Sequence, residues 1–303
     1  MKAKIAVAAV SLALLLSGAQ AGSRPAQDDP LLRPIEPDYA RRWLDPAPPV
    51  RVFGNSYMVG FSGLGVGLIR TSKGLILLDG AVPQAVRDVE ANLRKLGFRI
   101  QDVKFILSTE PHYDHAGGLA ALARDSGATV LASAAAAKAL AAGRTEADDP
   151  QHAILVPFPA VKRLRAVRDG EQIRLGDTVV TAVATPGHTA GSMSWRWRSC
   201  EGTRCLNVVF GSSVTAVSAD DYRFTDHPAV VAPFRTTFTR FRVMPCDILL
   251  NTHPNYFGGD EKVSQILRRR VPNPFVDAKA CRTYADKAEA ALDERLAKEK
   301  AAR

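Results

Sequence analysis

The chain is short of cysteine, methionine and tryptophan: its 303 residues carry four, four and three of them. No two cysteines stand in a Cys-x-x-Cys pair, which argues against a thiolate zinc site. No low-complexity linker interrupts the sequence, so nothing in it marks a domain boundary. After the first two dozen residues there is no apolar run near the roughly 20 residues needed to span a bilayer. Acidic residues are outnumbered, 31 against 40 Lys and Arg, for a formal net charge of +9. The basic residues are scattered, however, except for Arg268-Arg269-Arg270, which reads as the solvated last turn of a helix. A basic surface of this kind can draw in an anionic small molecule. It leaves no concentrated footprint for nucleic acid, and none is expected as a partner.

What is present begins with an address. Lys2 and Lys4 precede an apolar stretch at residues 5–16, and Ala19-Gln20-Ala21 supplies a small-residue cleavage site. This is the pattern of a secretory signal peptide covering residues 1–21, too short in its apolar part for a membrane anchor. Cleavage removes two lysines and no acid, lowering the charge to +7. The mature chain, 22–303, is expected in the periplasm. Export agrees with four cysteines placed after the signal. Of the three possible pairings, we expect Cys200–Cys205, which flank a four-residue turn between two strands, and Cys246–Cys281, which pins a C-terminal helix to the core.

Histidine is also scarce, with six in all, and four of them follow predicted strands. The apolar run Phe105-Ile106-Leu107 leads into Glu110-Pro111-His112-Tyr113-Asp114-His115, after which Gly117 and Gly118 open a helix. Four potential metal ligands thus fall within six residues, on a loop bent by proline and glycine. His188 lies in the turn Thr185-Pro186-Gly187-His188-Thr189 after a strand at 178–184, and His253 follows a strand at 247–250. Open α/β sheets place their ligand sites past such strand ends. Imidazole suits zinc, and a carboxylate beside it can ligate or take a proton from bound water. These residues point to a two-metal hydrolytic site. His152 and His227 have no ligand neighbours and read as loop residues. Tyr113 points away from the metals if its neighbours point in. Asp79, at the end of a buried strand, is either a turn residue or a partner for a metal-bound imidazole.

The remaining chain alternates strands and helices. An extended arm at 22–49, with a short helix near 38–43, precedes strands at 50–59, 65–71 and 74–78. A helix at 83–96 has apolar residues at Val86, Val89, Leu93 and Leu96. A strand at 128–132, a helix at 133–142 and a long loop at 143–159 follow the metal loop. Residues 165–175 read as the hairpin partner of 178–184, and 193–198 pairs with 206–210. A polar irregular stretch at 211–227 leads to helices at 228–244, 261–270 and 277–298. Two similar halves, each ending in metal ligands, suggest two sheets packed face to face with helices outside, as one domain.

The ordered set His112-Tyr113-Asp114-His115, His188 and His253 resembles the metallo-β-lactamase superfamily. With the signal peptide, the Thr185–Ser192 turn, the serine-bearing stretch from Gly211 to Thr215 and the Cys246/Cys281 pair, the chain is similar to subclass B3, over roughly residues 50–281. The resemblance implies an α/β fold, a four-layer αββα sandwich, carrying two Zn2+ ions. Glu110, His112 and His188 would hold the first ion, and Asp114, His115 and His253 the second. It further implies hydrolysis of the β-lactam amide bond by a zinc-bound hydroxide oriented by the catalytic Asp114, which confers antibiotic resistance. The substrate would be a small-molecule β-lactam and the protein a monomer. Ser213 and Thr215 match positions of substrate-contacting hydroxyls, and Arg223 is a further candidate for an anionic group. The chain departs from the family at Glu110, where His is usual. Glu remains a competent oxygen ligand. It lowers the formal charge of the loaded centre to about +1 from about +2, so weaker activity than in a His-bearing relative is expected. The alternative is an exported zinc hydrolase of another ester, lactone or thioester.

Overall fold

Strand β4 (Gly74–Leu78), reading GLILL, is apolar at successive positions because both of its faces are covered. Ile76 and Leu78 point to one core and Leu77 to another. The computed structural model describes residues 29–302, so the predicted signal peptide and its cleavage site lie outside the described residues. β4 sits inside a seven-stranded sheet in the order β1 (Val50–Phe53), β2 (Ser56–Met58), β3 (Gly67–Thr71), β4, β5 (Val103–Leu107), β6 (Thr129–Ser133), β7 (Leu164–Val167). The first four strands pair antiparallel, and β4 to β7 run parallel. A five-stranded sheet contains β8 (Gln172–Leu175), β9 (Thr178–Ala184), β10 (Met193–Glu201), β11 (Arg204–Gly211) and β12 (Ile248–Asn251) in sequence order. It is antiparallel except for the β11–β12 pair.

Three apolar layers hold these parts together. Between the sheets, Ile76, Leu78, Leu107 and Leu131 meet Val180, Trp195, Val208, Phe210 and Leu250. The two buried tryptophans of β10 span the gap with their ring N–H groups: Trp195 donates to the Ser108 carbonyl at 3.2 Å and Trp197 to Ser56 Oγ at 2.8 Å. Burial of an indole is tolerated where that N–H finds an acceptor. The outer face of the first sheet is covered by α2 (Val86–Lys95), α4 (Leu119–Ser126) and α5 (Ala134–Ala142). The outer face of the second packs on α6 (Pro228–Val243) and α8 (Ala280–Ala301) through Phe234, Phe238, Phe241 and Tyr284. The result is the expected four-layer αββα sandwich.

Local differences from the sequence reading have identifiable causes. Residues 50–59 form a hairpin, because Gly54 takes a positive φ of 54° and turns the chain. Residues 165–175 divide between the sheets: β7 pairs parallel with β6, and only β8 pairs with β9. The arm carries its short helix as α1 (Pro37–Ala40), followed by a 3-10 turn through Trp43. The two C-terminal helices are shifted, to α7 (Gly259–Leu267) and to α8. Both expected disulfides are present, Cys200–Cys205 across the β10–β11 turn and Cys246–Cys281 from the segment before β12 to α8. Among the described residues no helix is long and apolar enough to cross a membrane.

Candidate metal centre

The β5 strand delivers its ligands through a tightly anchored loop. Asp79, at the end of β4, accepts from the Thr109 backbone N–H at 2.7 Å and from its hydroxyl at 2.6 Å. The Thr109 carbonyl accepts from Met193 N on the second sheet at 2.8 Å. The segment expected as loop then winds early, as α3 (Tyr113–Ala116), which contains Asp114 and His115. Gly118 lets the next turn approach the neighbouring strand end, since a Cβ there would lie 2.1 Å from the Gly80 carbonyl oxygen. In the second half, Gly187 has φ 145° and leaves no room for a side chain against Phe234, which fixes the turn that presents His188. His253 follows β12 directly.

These three loops bring six donor side chains together in two sets. Glu110, His112 and His188 form one, Asp114, His115 and His253 the other, and within each set the donor atoms lie within 4.8 Å of one another. Glu110 Oε1 stands between the sets, 3.5 Å from His188 Nε2 and 3.2 Å from His115 Nε2. Asp114 Oδ2 is 3.3 Å from His115 Nε2 and 3.4 Å from His253 Nε2. Glu110 is wholly buried. One of its oxygens accepts from Ser213 N at 2.9 Å, whereas Oε1 has no hydrogen-bond partner. A buried carboxylate oxygen left without a donor is costly, and a cation between the two sets would satisfy it. The donor set of four imidazole nitrogens and two carboxylates fits zinc-type metal binding.

The far nitrogens of the imidazoles decide which nitrogen faces the metals. His188 Nδ1–H donates to the Thr215 carbonyl at 2.7 Å and His253 Nδ1–H to the Gly63 carbonyl at 2.9 Å, which turns Nε2 of both toward the site. His112 is reversed: its Nε2 is 2.9 Å from Asp149 Oδ2, so Nδ1 faces the site. The electrostatics agree with a centre built for cations. Burial alone would lower the His115 basicity, but the Asp114 and Glu110 carboxylates outweigh it and carry its pKa up to about 10. Burial would also raise Asp114, yet His115 and His253 hold it well below the usual carboxylate range. Glu110 is lowered in the same way by His115, His188 and His112. His188, by contrast, is pushed down by burial. Asp79, buried among few donors, is pushed up to about 7.

The other sequence candidates fall into place around this core. Asp79 Oδ2 is 3.8 Å from His115 Nδ1, an ion-pair contact longer than a hydrogen bond. Ser213 is buried, with its hydroxyl 3.0 Å from Thr252 Oγ1. Thr215 is half-buried beside His188. Tyr113 packs against Trp43 of the arm, and Trp43 also packs against His253 at 5.7 Å between ring centroids. Arg223 is engaged by the Glu299 carbonyl and by Asp226, so the structure ties it to the end of α8. His152 is exposed beside Thr145, and His227 stacks on Tyr222. Sequence reading missed Asp149, Gln151 and Trp43. Nothing in their spacing relates them to the histidines, because loop packing alone brings them there.

The family model of the metallo-beta-lactamase superfamily matches residues 66–201. A solved structure described as the first B3 metallo-beta-lactamase with an active-site glutamic acid is 51% identical, with TM-score 0.83, over 90% of this chain and 99% of that one. SMB-1, a metallo-beta-lactamase bound to 2-mercaptoethanesulfonate, is 43% identical with TM-score 0.82, over 85% of this chain and 99% of that one. MEM-A1, a subclass B3 enzyme isolated from a soil metagenome library, is 39% identical with TM-score 0.83, over 86% and 100% of the respective chains.

Proposed function

The chain belongs to the metallo-beta-lactamase superfamily as a B3-type zinc β-lactamase, and from that premise we propose how its residues divide the work. Glu110, His112 and His188 hold one zinc ion, and Asp114, His115 and His253 hold a second. The observation that carries this assignment is the unpartnered Glu110 Oε1, which completes the first group of donors and faces the second. When bound, the two zinc ions supply an acidified water as nucleophile and positive charge for the developing oxyanion and the departing amide nitrogen.

The side chains do the positioning. Asp114, kept ionised by His115 and His253, orients the nucleophile. Thr215, half-buried beside His188, offers a hydroxyl to the substrate carboxylate. Ser213 contributes to the same substrate-side wall, and its backbone N–H holds Glu110 in place. No protein nucleophile is required. Export to the periplasm, a role in antibiotic resistance and a monomeric state complete the reading. Export rests on the leader pattern and on two disulfides, whereas resistance and the monomeric state are what the B3 resemblance implies.

Purified mature protein is expected to hydrolyse a cephalosporin or a carbapenem, to lose that activity to a chelator and to regain it with zinc. Brisk lactone hydrolysis without lactam turnover would overturn the substrate assignment. The glutamate at the first site is expected to leave turnover below that of His-bearing relatives, since it reduces the charge available to stabilise an anion.

A further inference from the structure

Of the four imidazoles in the centre, one has a carboxylate within hydrogen-bond distance of the ring nitrogen turned away from the other donors. His188 and His253 donate to neutral backbone carbonyls, and His115 has its carboxylate at 3.8 Å. His112 has Asp149 Oδ2 at 2.9 Å, with the His112 and Asp149 side chains only 2% and 6% exposed. The other oxygen of Asp149 accepts from Gln151 N at 2.8 Å, so both oxygens of the carboxylate are held. Gln151 is itself buried, and its Nε2 lies 3.3 Å from His188 Nε2 and 3.5 Å from His112 Nδ1, on the metal side of both rings. The turn is anchored from elsewhere by Ala219 N donating to the Pro150 carbonyl at 2.9 Å. A segment distant in sequence thus braces the first ligand set from behind one ring and from the front of two.

We propose that Asp149 is a positioning residue of the first metal site. It holds His112 with the proton on Nε2, presents Nδ1 to the ion, and raises the donor strength of that ring. The physical basis is that a carboxylate accepting from the remote N–H of an imidazole fixes tautomer and orientation and strengthens the lone pair on the other nitrogen. A backbone carbonyl does the first two and less of the third, because it carries no net charge. The first site is therefore supported by two anionic groups, Glu110 directly and Asp149 through His112, although only one of them reaches the ion.

The inference rests on the metal-centre reading and is separable from it. Zinc affinity of the mature protein is measured by competition with a chromophoric chelator, and 113Cd NMR of the cadmium-loaded protein distinguishes the two sites. Asp149→Asn is expected to weaken the first site roughly 10- to 100-fold and to leave the second within about threefold. A first site within threefold of the parent, or equal weakening of both sites, overturns the proposal. The unaltered zinc-loaded protein gives a second readout free of any folding defect. Long-range 1H–15N correlation is expected to show His112 protonated at Nε2, and protonation at Nδ1 overturns the proposal. A parent chain that binds no zinc would overturn the metal-centre reading along with it. Uptake of two ions with the wrong tautomer overturns this proposal alone.

Discussion

A carboxylate at position 110 changes the charge balance of the whole centre. Glu110 is buried among three imidazoles that hold it ionised, so its charge is present in the site at neutral pH. Glu110→His restores a neutral ligand, and it is expected to raise kcat/KM for a cephalosporin about tenfold, equivalent to about 1.4 kcal/mol of transition-state stabilisation. An unchanged or lower value in a protein that still binds two zinc ions would contradict the charge argument. Asp79 offers a second test. Its folded pKa of about 7 lies above its ordinary value of 3.8 because it is fully buried. A carboxyl raised in this way adds stability below the ordinary value and loses it as pH rises through about 7. Asp79→Asn in chelator-treated protein is therefore expected to melt above the parent at pH 8, with the advantage gone near pH 4. The residue stands at φ 61°, a conformation that asparagine tolerates. At this scale the sequence was informative wherever ligands cluster along the chain. Four of the six donors lie between 110 and 115, and the two remaining histidines close strand-turn patterns. Asp149 and Gln151 were invisible, since a loop residue that meets a ligand only through folding leaves no periodic trace.

The elements explain why the ligand loops keep their positions. The winding of α3 over Tyr113–Ala116 was not legible, because four residues are too few for a helical period to show. The split of residues 165–175 between two sheets was equally hidden. Their composition suits a strand in either sheet, and pairing partners distant in sequence decide the outcome. The cysteines were easier to read, since a four-residue spacer between two strands forces proximity. Loop-closure entropy assigns about 4 kcal/mol to the Cys246–Cys281 bridge and about 2 kcal/mol to Cys200–Cys205, given separations of 35 and 5 residues. Replacing Cys246 and Cys281 by alanine is expected to lower Tm more than the same change at Cys200 and Cys205. Calorimetry of the two double variants checks the order, and a reversed ranking would show that the unfolded chain is not what the longer bridge restrains.

On the scale of the molecule, the candidate metal centre joins the two sheets at one end. Glu110, His112, Asp114 and His115 follow β5 of the first sheet, whereas His188 and His253 follow β9 and β12 of the second. Each ion present at a thousand times its Kd stabilises the folded state by about 4 kcal/mol. Zinc loading is thus expected to raise Tm by on the order of 10 °C or more, and scans with and without chelator measure it. Protons compete for His115, whose pKa reaches about 10 without metal. The zinc-dependent part of the shift is therefore expected to grow with pH between 6 and 9.

The passage of the chain between the sheets has a practical corollary. Every strand of the first sheet ends by Val167, and every strand of the second begins at or after Gln172. A cut at the exposed Gly170 would yield two polypeptides, one bearing four of the metal donors and the other bearing two. Neither half alone completes a three-donor set, so reassembly of co-expressed fragments should respond to zinc as to a switch. Lactam turnover would then report when the halves have met.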